Sequence, residues 1–450
     1  MSSIVFRNVA VADAEVPGGV RQGVHLRVEA GLISHVGPEV PTADRDLDAT
    51  GHLAIPGLVN CHHHLYQSLT RVMPAVQSAE LFPWLQVQYP IWARMDGEAV
   101  HVSALVSLSE LLLSGCTTVS DMFYVFPRGS DVALDQVIEA AQVLGMRIHA
   151  GRGSMSLGQS AGGLPPDHVV QTPDEILADT ERLVDRYHDA KAGAMVRIDV
   201  MPCSPFSVTA ELMTASRDLA RRRGLLLHTH LAETLDEERF CLETFGVRPL
   251  GYLEKLGWLG PDVYLAHGIH FDDAELDNLA HTGTGVAHCP SSNMRLGSGI
   301  ARVVEMRRRG IRVGLAVDGS ASNDGNNLLL EARMALMAAR LRTGASSMTP
   351  HDALDLATAG GARLLARPEL GRIAVGLPAD LALFDLNRIE YAGAVEQDPL
   401  GALLLCHPTP PRHVLVNGEL RVEQGAIPGL DLPGLVARHN GLVRRLMARR

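Results

Sequence analysis

The central part of the chain alternates between short apolar runs and longer stretches of helical periodicity. Eight apolar runs predict strands at 53–60, 117–122, 147–150, 196–201, 225–228, 263–266, 285–287 and 312–317. Helical periodicity lies between them at 97–113, 173–191, 210–223 and 300–309. Eight strand–helix units in one uninterrupted stretch predict an α/β fold, a closed parallel (β/α)8 barrel of the TIM type. An open doubly wound sheet is the structural alternative.

Both ends of the chain have a different pattern, made of short strands with alternating apolar and polar positions. This pattern occurs at 4–11 and 24–33 and returns at 381–386, 413–416 and 419–422. The turn Asn417-Gly418 joins the last two and is typical of a hairpin. We therefore predict a small β-sandwich domain from 1–57 and 370–430, the barrel at 58–369, and a C-terminal helix at 431–450.

Composition narrows the class of protein. Of 450 residues, 46% are hydrophobic and 20% charged, which is the balance of a globular chain. The net charge of −11 argues against a nucleic-acid partner, because phosphate binding requires a basic surface. No apolar run is long enough for a membrane span, and the first residues lack the apolar core of a signal peptide. Six scattered cysteines predict reduced thiols. Together these features predict a cytoplasmic protein.

Metal-ligand residues follow four of the predicted strands. His62 and His64 follow the first strand, His230 the fifth, His267 the sixth and Asp318 the eighth. Active sites of these barrels lie at the carboxyl ends of the strands, so the five side chains are expected at one rim. Two imidazoles two residues apart in an extended segment project to the same side and are able to bind one metal ion. Taken singly, each position has an ordinary structural explanation, but together they predict a metal site.

These residues belong to longer motifs. The segments 56–64 (PGLVNCHHH), 230–233 (HLAE) and 371–381 (GRIAVGLPADL), with His267 and 317–318 (VD), resemble those of the amidohydrolase superfamily. The resemblance covers nearly the whole chain. It is to the branch that holds cytosine, guanine and S-adenosylhomocysteine deaminases and the triazine hydrolases.

The resemblance implies a metal centre and a mechanism. His62, His64, His230 and Asp318 are expected to hold one Zn²⁺ per chain, or Fe²⁺ as in some relatives. His267 and Asp318 would orient the hydrolytic water and accept its proton, and Glu233 would protonate a ring nitrogen of the substrate before ammonia leaves. Glu233 is otherwise explained as an acidic residue in the first turn of a helix. The fourth strand has no lysine to bridge two metals, which favours a one-metal deaminase.

The sequence gives weaker indications of the substrate. Gln67, Arg152, Cys203 and Trp92 are candidate substrate contacts, and Trp84 and Tyr89 lie near Trp92 in a candidate lid or pocket wall. Each also has an explanation without substrate contact: the glutamine lies at the surface, the arginine at the barrel rim, the cysteine in a structural buried position and the aromatic residues in the core.

The resemblance is greatest to the 8-oxoguanine deaminase group, and implies conversion of 8-oxoguanine and water to urate and ammonia. A hydroxyatrazine-type aminohydrolase and a guanine or pterin deaminase are the alternatives, and a non-catalytic barrel scaffold is a remote one. Relatives are commonly homo-oligomers, so we expect the same of this chain.

Overall fold

The computed structural model describes residues 3–12 and 16–448. Its strands are β1 Ile4–Ala12, β2 Val20–Glu29, β3 Leu32–Gly37, β4 Arg45–Asp48, β5 His52–Pro56, β6 Leu58–Asn60, β7 Cys116–Phe123, β8 Arg147–Ser154, β9 Val196–Pro202, β10 Leu227–Leu231, β11 Val263–His267, β12 Gly285–His288, β13 Val313–Leu315, β14 Leu381–Asp385, β15 His413–Val416 and β16 Glu419–Glu423. Its α-helices are α1 Leu81–Trp92, α2 Gly97–Leu113, α3 Asp135–Leu144, α4 Pro173–Tyr187, α5 Ala210–Arg223, α6 Leu235–Phe245, α7 Pro249–Lys255, α8 Asp273–Thr282, α9 Pro290–Arg295, α10 Val303–Arg308, α11 Leu328–Thr343, α12 Pro350–Asp355, α13 Gly361–Leu364, α14 Pro399–Leu405 and α15 Leu432–Ala448.

Strands β6 to β13 form the barrel. All of them run parallel, and each pairs with its neighbour in the sequence. At the seam between the first and last strands, the Cys61 N–H donates to the Leu315 carbonyl (3.0 Å). The predicted (β/α)8 barrel is therefore confirmed. A doubly wound sheet would reverse its strand order partway, and this sheet does not.

The terminal segments of the chain form a second sheet of eight strands. Its order is β16-β15-β14-β5-β1-β2-β3, with β4 paired to β1. Most pairs are antiparallel, and the chain ends meet where β5 pairs with β14. A separate apolar cluster that includes Phe6, Leu26, Leu381 and Leu415 packs on this sheet.

The first predicted barrel strand, 53–60, is divided between the two sheets. Residues up to Pro56 pair with β14 in the terminal sheet, and the barrel strand begins at Leu58. The chain changes sheet at Gly57, where a Cβ atom would lie 2.3 Å from Thr117 Oγ1. A run of apolar residues does not reveal this break, because both of its halves are buried.

The predicted helices are confirmed with small changes at their ends. Helices α2 and α5 have the predicted bounds, α4 ends four residues earlier, and α10 is shorter at both ends. The Asp96 carboxylate caps α2 by accepting the Ala99 N–H (3.0 Å). None of the described helices combines the length and the apolarity needed to cross a membrane. All six cysteines are free thiols, as expected.

Candidate metal centre and cleft

The strand ends that carry the predicted site residues converge at one rim of the barrel. His62 and His64 follow β6, His230 lies in β10, His267 ends β11, and Asp318 follows β13. The ligand-type atoms of His62, His64 and Asp318 lie within 4.8 Å of one another, and so do those of His62, His230 and His267. The structure thus brings together residues that are up to 256 positions apart in the chain (318 minus 62).

The backbone at this rim is strained. Ala232 (φ 53°), His267 (φ 71°) and Asp318 (φ 63°) have left-handed conformations that residues other than glycine rarely adopt. Such residues cost free energy and concentrate at functional sites. The Asp318 N–H donates to the His62 carbonyl (3.2 Å), which fixes the end of the eighth strand against the first.

Hydrogen bonds to backbone carbonyls set the tautomers of two imidazoles. His64 Nδ1 lies 2.8 Å from the Met122 carbonyl oxygen, and His230 Nδ1 lies 2.6 Å from that of Cys203. A carbonyl only accepts, so each Nδ1 carries the proton and each Nε2 has a free lone pair. The two Nε2 atoms lie 3.1 Å apart. Two lone pairs do not bond each other, so both nitrogens face a position suited to a cation.

A relay of two histidines sets the tautomer of His62. His228 Nδ1 lies 2.8 Å from the Tyr264 carbonyl oxygen, so this nitrogen donates and His228 Nε2 accepts. His62 Nδ1, at 2.7 Å from His228 Nε2, is therefore the donor of that pair. His62 Nε2 is left with a free lone pair and lies 3.3 Å from Asp318 Oδ1.

Three lone-pair nitrogens and one carboxylate thus face one point, which is the donor set of a zinc or iron site. Burial lowers the pKa of His62, His64 and His230, so all three imidazoles stay neutral, as ligands must be. Burial by itself raises the pKa of Asp318, but the imidazoles of His62, His267 and His64 around its carboxylate outweigh that effect and hold the pKa well below its usual value. The residues present fit a divalent metal ion.

Glu233 lies beside this cluster in the loop after β10. Its carboxylate Oε2 is 3.5 Å from His267 Nε2, and burial raises its pKa to about 7. The buried carboxylate of Glu237 accepts the N–H groups of Ala232 (3.1 Å) and Glu233 (2.9 Å), and so fixes the loop. Glu233 is consequently a rigidly held acid that exchanges its proton near neutral pH.

His267 is oriented from its other side. Its Nδ1 lies 2.9 Å from Asn293 Oδ1. Burial lowers the pKa of His267, but the carboxylates of Glu233 and Asp318 outweigh that effect and raise it overall. This imidazole is able to take up a proton that those of His62 and His230 would not.

A cleft with an empty volume of about 390 Å³, part of it open to solvent, lies against these residues. Gln67 and Cys203, two of the candidate substrate contacts, line it. Gly319 makes room for Gln67, because a Cβ atom there would lie 1.9 Å from Gln67 Oε1. Cys203 Sγ lies 3.9 Å from His230 Nδ1, and burial raises the pKa of its thiol to about 12. Cys203 is therefore a neutral thiol in the wall of the cleft.

Two predicted substrate contacts lie outside the cleft. The Arg152 guanidinium donates to Asp179 (2.7 Å) on α4, outside the barrel, and to Gln171 (2.8 Å), because alternate residues of β8 face away from the barrel interior. Trp92 is buried within the protein and does not line the cleft, and its Nε1 donates to Thr70 Oγ1 (3.0 Å). Neither side chain is among the residues that line the cleft.

Sequence reasoning missed several lining residues. They are Leu81, Leu85, Tyr124, Phe206, Leu296 and Ser322. The spacing of Leu81, Leu85 and Tyr89 on one face of α1 was a usable signal, because i, i+4 and i+8 share a helix face. Tyr124 and Phe206 follow strand ends but carry no chemical signature of their own.

The chain is similar to known proteins along most of its length. The model of the amidohydrolase family matches residues 53–420. An 8-oxoguanine deaminase from Pseudomonas aeruginosa is 53% identical over 411 residues, which cover 91% of each chain. Hydroxydechloroatrazine ethylaminohydrolase from Pseudomonas sp. (strain ADP) is 38% identical, over 96% of this chain and 93% of that one.

Among solved structures, the atrazine chlorohydrolase of Arthrobacter aurescens TC1 complexed with zinc superposes with a TM-score of 0.93. It is 32% identical and covers 98% of this chain and 100% of its own. The similarity therefore extends over the barrel and the terminal sheet alike.

Proposed function

The chain belongs to the amidohydrolase family, and from that premise we propose that it hydrolyses 8-oxoguanine to urate and ammonia. One observation carries the proposal: a protein named 8-oxoguanine deaminase is 53% identical across nine-tenths of both chains. The site agrees with a deaminase, because its ligand set and its proton-carrying residues are complete. A non-catalytic scaffold would have no use for a complete set.

We assign His62, His64, His230 and Asp318 as ligands of one zinc ion per chain. A zinc ion bound there would supply hydroxide at neutral pH, since it lowers the pKa of a water molecule to about 7. The free Nε2 atoms of the three imidazoles, together with the Asp318 carboxylate, support this assignment. Iron would suit the same donors, and metal analysis of the purified protein distinguishes the two.

Glu233, His267 and Asp318 move the protons of the reaction. Glu233, with its pKa near 7, delivers a proton from its carboxyl group to a ring nitrogen beside C2, which makes that carbon electrophilic. His267 Nε2 and the Asp318 carboxylate orient the water and take up its proton. The C2–O bond forms and the C2–N bond breaks. One proton of the water leaves with ammonia and the other returns to Glu233, so the proton that Glu233 delivered stays on the ring nitrogen of urate.

Gln67 and Cys203 are the proposed substrate contacts. Gln67 Oε1 is buried and has no hydrogen-bond partner in the described part of the chain. It sits over Gly319, next to Asp318, and so close to the reacting end of the cleft. An amide there suits the lactam edge of a purine, which offers a donor and an acceptor side by side. The small thiol of Cys203 leaves room beside His230.

An amine-releasing triazine hydrolase is the second candidate. The 38% identity to hydroxydechloroatrazine ethylaminohydrolase favours it, and the same metal and acid residues would serve. Guanine and pterins are further possible substrates of the same chemistry. The cytoplasmic location and the homo-oligomeric state expected from the sequence stay predictions.

Ammonia release from 8-oxoguanine, guanine, isoxanthopterin and N-ethylammelide-type triazines tests the proposal. We expect the zinc-loaded enzyme to turn over 8-oxoguanine fastest. In Glu233→Gln, we expect kcat to fall about 10²- to 10⁴-fold, because the general acid is lost, with the zinc content unchanged. Turnover of another ring alone would contradict the substrate. An unimpaired Glu233→Gln variant would contradict the role of Glu233.

A further inference from the structure

One face of α1 forms a wall of the cleft. Leu81, Trp84, Leu85 and Tyr89 all line it. They stand at positions i, i+3, i+4 and i+8 of the helix, so they project from the same side. Leu81 and Leu85 supply apolar surface, whereas Trp84 and Tyr89 each bring a polar atom.

Those polar atoms are buried and unpaired. Of the described residues lining the cleft, three have a buried side-chain nitrogen or oxygen without a hydrogen-bond partner: Gln67 Oε1, Trp84 Nε1 and Tyr89 Oη. Nearly all buried polar groups in folded proteins are paired, because an unpaired one loses its hydration without compensation. Trp92, on the same helix but behind the wall, follows this rule by donating to Thr70. The unpaired atoms of the wall are therefore suited to groups of a ligand.

The aromatic rings of the wall and that of Tyr124 differ in their contacts with the imidazoles of the metal site. Tyr124 has ring contacts with His64 (5.1 Å) and His230 (6.3 Å). The ring contacts of Trp84 and Tyr89 are instead with Trp92 on their own helix. A substrate whose C2 atom lies beside Glu233 and Asp318 has N7 and C8 at the opposite end of its ring system, which leaves these atoms free to face the wall.

We propose that Trp84 Nε1 and Tyr89 Oη bind the C8 carbonyl and N7–H of the substrate and so select 8-oxoguanine over guanine. This inference rests on the proposed function. Tryptophan Nε1 only donates, which matches a carbonyl at C8, and a tyrosine hydroxyl accepts from N7–H or donates to the carbonyl. Guanine has a C–H at C8 and a single imidazole proton, on N7 or N9. Its binding leaves the buried Trp84 Nε1 unpaired, a loss that gives strong discrimination.

The test compares Trp84→Phe and Tyr89→Phe with Trp92→Phe. The first two remove one unpaired polar atom each and keep an aromatic ring, while Trp92→Phe removes an indole N–H that does not face the cleft. For each of the two wall variants we expect kcat/KM for 8-oxoguanine to fall about 10- to 100-fold, with guanine changed by less than about threefold. Trp92→Phe should leave the ratio of the two substrates unchanged.

Product inhibition supplies a second readout, independent of turnover. Urate carries a carbonyl at C8 and a proton on both imidazole nitrogens, whereas xanthine has a C–H at C8 and a single imidazole proton. The two wall variants should weaken inhibition by urate and not by xanthine. The ratio of the two inhibition constants replaces the ratio of the two substrates if guanine turnover is too slow to measure.

The proposed role of the wall would be wrong if its variants lowered kcat/KM equally for both substrates and weakened inhibition equally for both products, or if they changed none of these. The proposal of 8-oxoguanine deamination would still stand. If the wild-type enzyme released no ammonia from 8-oxoguanine, the proposed function itself would be wrong. Melting temperatures of the three variants identify any that fail to fold. Tyr89→Phe, which removes a single oxygen, is the least disruptive of them.

Discussion

At the scale of single residues, the metal centre depends on groups that never touch the metal. The carbonyls of Met122, Cys203 and Tyr264 accept hydrogen bonds from imidazole N–H groups and thereby decide which ring nitrogen has a free lone pair. His228 passes that constraint on to His62 and is itself stacked on the Tyr264 ring, with centroids 4.0 Å apart. Such partners orient metal ligands and tune their basicity.

Replacing His228 should weaken metal binding without altering a ligand. In His228→Phe the ring can still stack on Tyr264, but His62 Nδ1 loses its acceptor and the tautomer of His62 is no longer fixed. We expect zinc affinity, measured by competition with a chelator, to fall about 10- to 100-fold. His228→Gln offers an amide oxygen to His62 and should recover part of the loss. Equal affinities in wild type and His228→Phe would show that the relay is dispensable.

The convergence of the proposed ligands was predictable from the sequence because each lies at the end of an apolar strand, and barrel topology brings strand ends to one rim. The supporting residues were not. Glu237 is one of three acidic residues in the first turn of α6, and only the fold shows that its carboxylate fixes the Glu233 loop. The sequence shows that Arg152 stands near the end of a strand, but it does not show which residues of β8 face outward, and Arg152 is one of them.

At the scale of elements, the C-terminal helix supports the segment behind the cleft. Helix α15 packs on α2 and on the short helical turn Leu65–Thr70, which carries Gln67. His439 Nε2 lies 3.1 Å from Ser68 Oγ in that turn. Ion pairs from Arg438 and Arg445 to Glu98 and Asp96 attach the rest of the helix to the start of α2.

We expect acid to weaken the packing of α15 through protonation of His439. Burial, reinforced by the positive charge of Arg71, lowers the pKa of His439 to about 4, whereas an unfolded histidine titrates near 6.5. Between about pH 6.5 and 4 the unfolded chain binds more protons at this site, so the free energy of unfolding decreases as the pH falls through that window. We expect hydrogen exchange in 432–448 to quicken at pH 4.5 relative to pH 7, after correction for intrinsic rates.

His439→Gln provides the control for that experiment. The variant keeps a hydrogen-bonding side chain but has no group that titrates in this range. Its acid response in 432–448 should be smaller than that of the wild type. An equal response would assign the effect to the surface ion pairs instead.

The type and bounds of a single helix or strand were easier to predict than which strands pair with each other. Helix α2 matches its predicted bounds because an N-cap and a periodic apolar pattern are local signals. The division of 53–60 at Gly57 depends on two partners far along the chain, β14 for the first half and β7 for the second. Pairing over such distances leaves little trace in a local hydrophobic pattern.

At the scale of the whole molecule, one buried ion pair joins the barrel to the terminal sheet. Arg147 begins β8, and its guanidinium donates to both carboxylate oxygens of Asp380 (3.0 and 3.2 Å), the residue before β14. Arg147 also donates to the Ala194 carbonyl (2.6 Å), and Asp380 accepts the Asn417 N–H (2.7 Å). Both side chains are buried, so each charge depends on the other for compensation.

Breaking this pair should destabilise the whole chain while the metal site stays intact. In Asp380→Asn the Arg147 guanidinium remains buried without its counter-charge, which costs about 3–5 kcal/mol. We expect a lower melting temperature, with zinc content and kcat at 25 °C close to wild type, because the pair lies at the other sheet and not at the rim. The double variant Arg147→Met/Asp380→Leu removes both charges and should lose less stability than Asp380→Asn alone. The single variants Arg147→Met and Asp380→Leu complete the comparison. If the double variant lost the sum of their two effects, the side chains would act independently, and the joint between the two sheets would rest on apolar contacts instead.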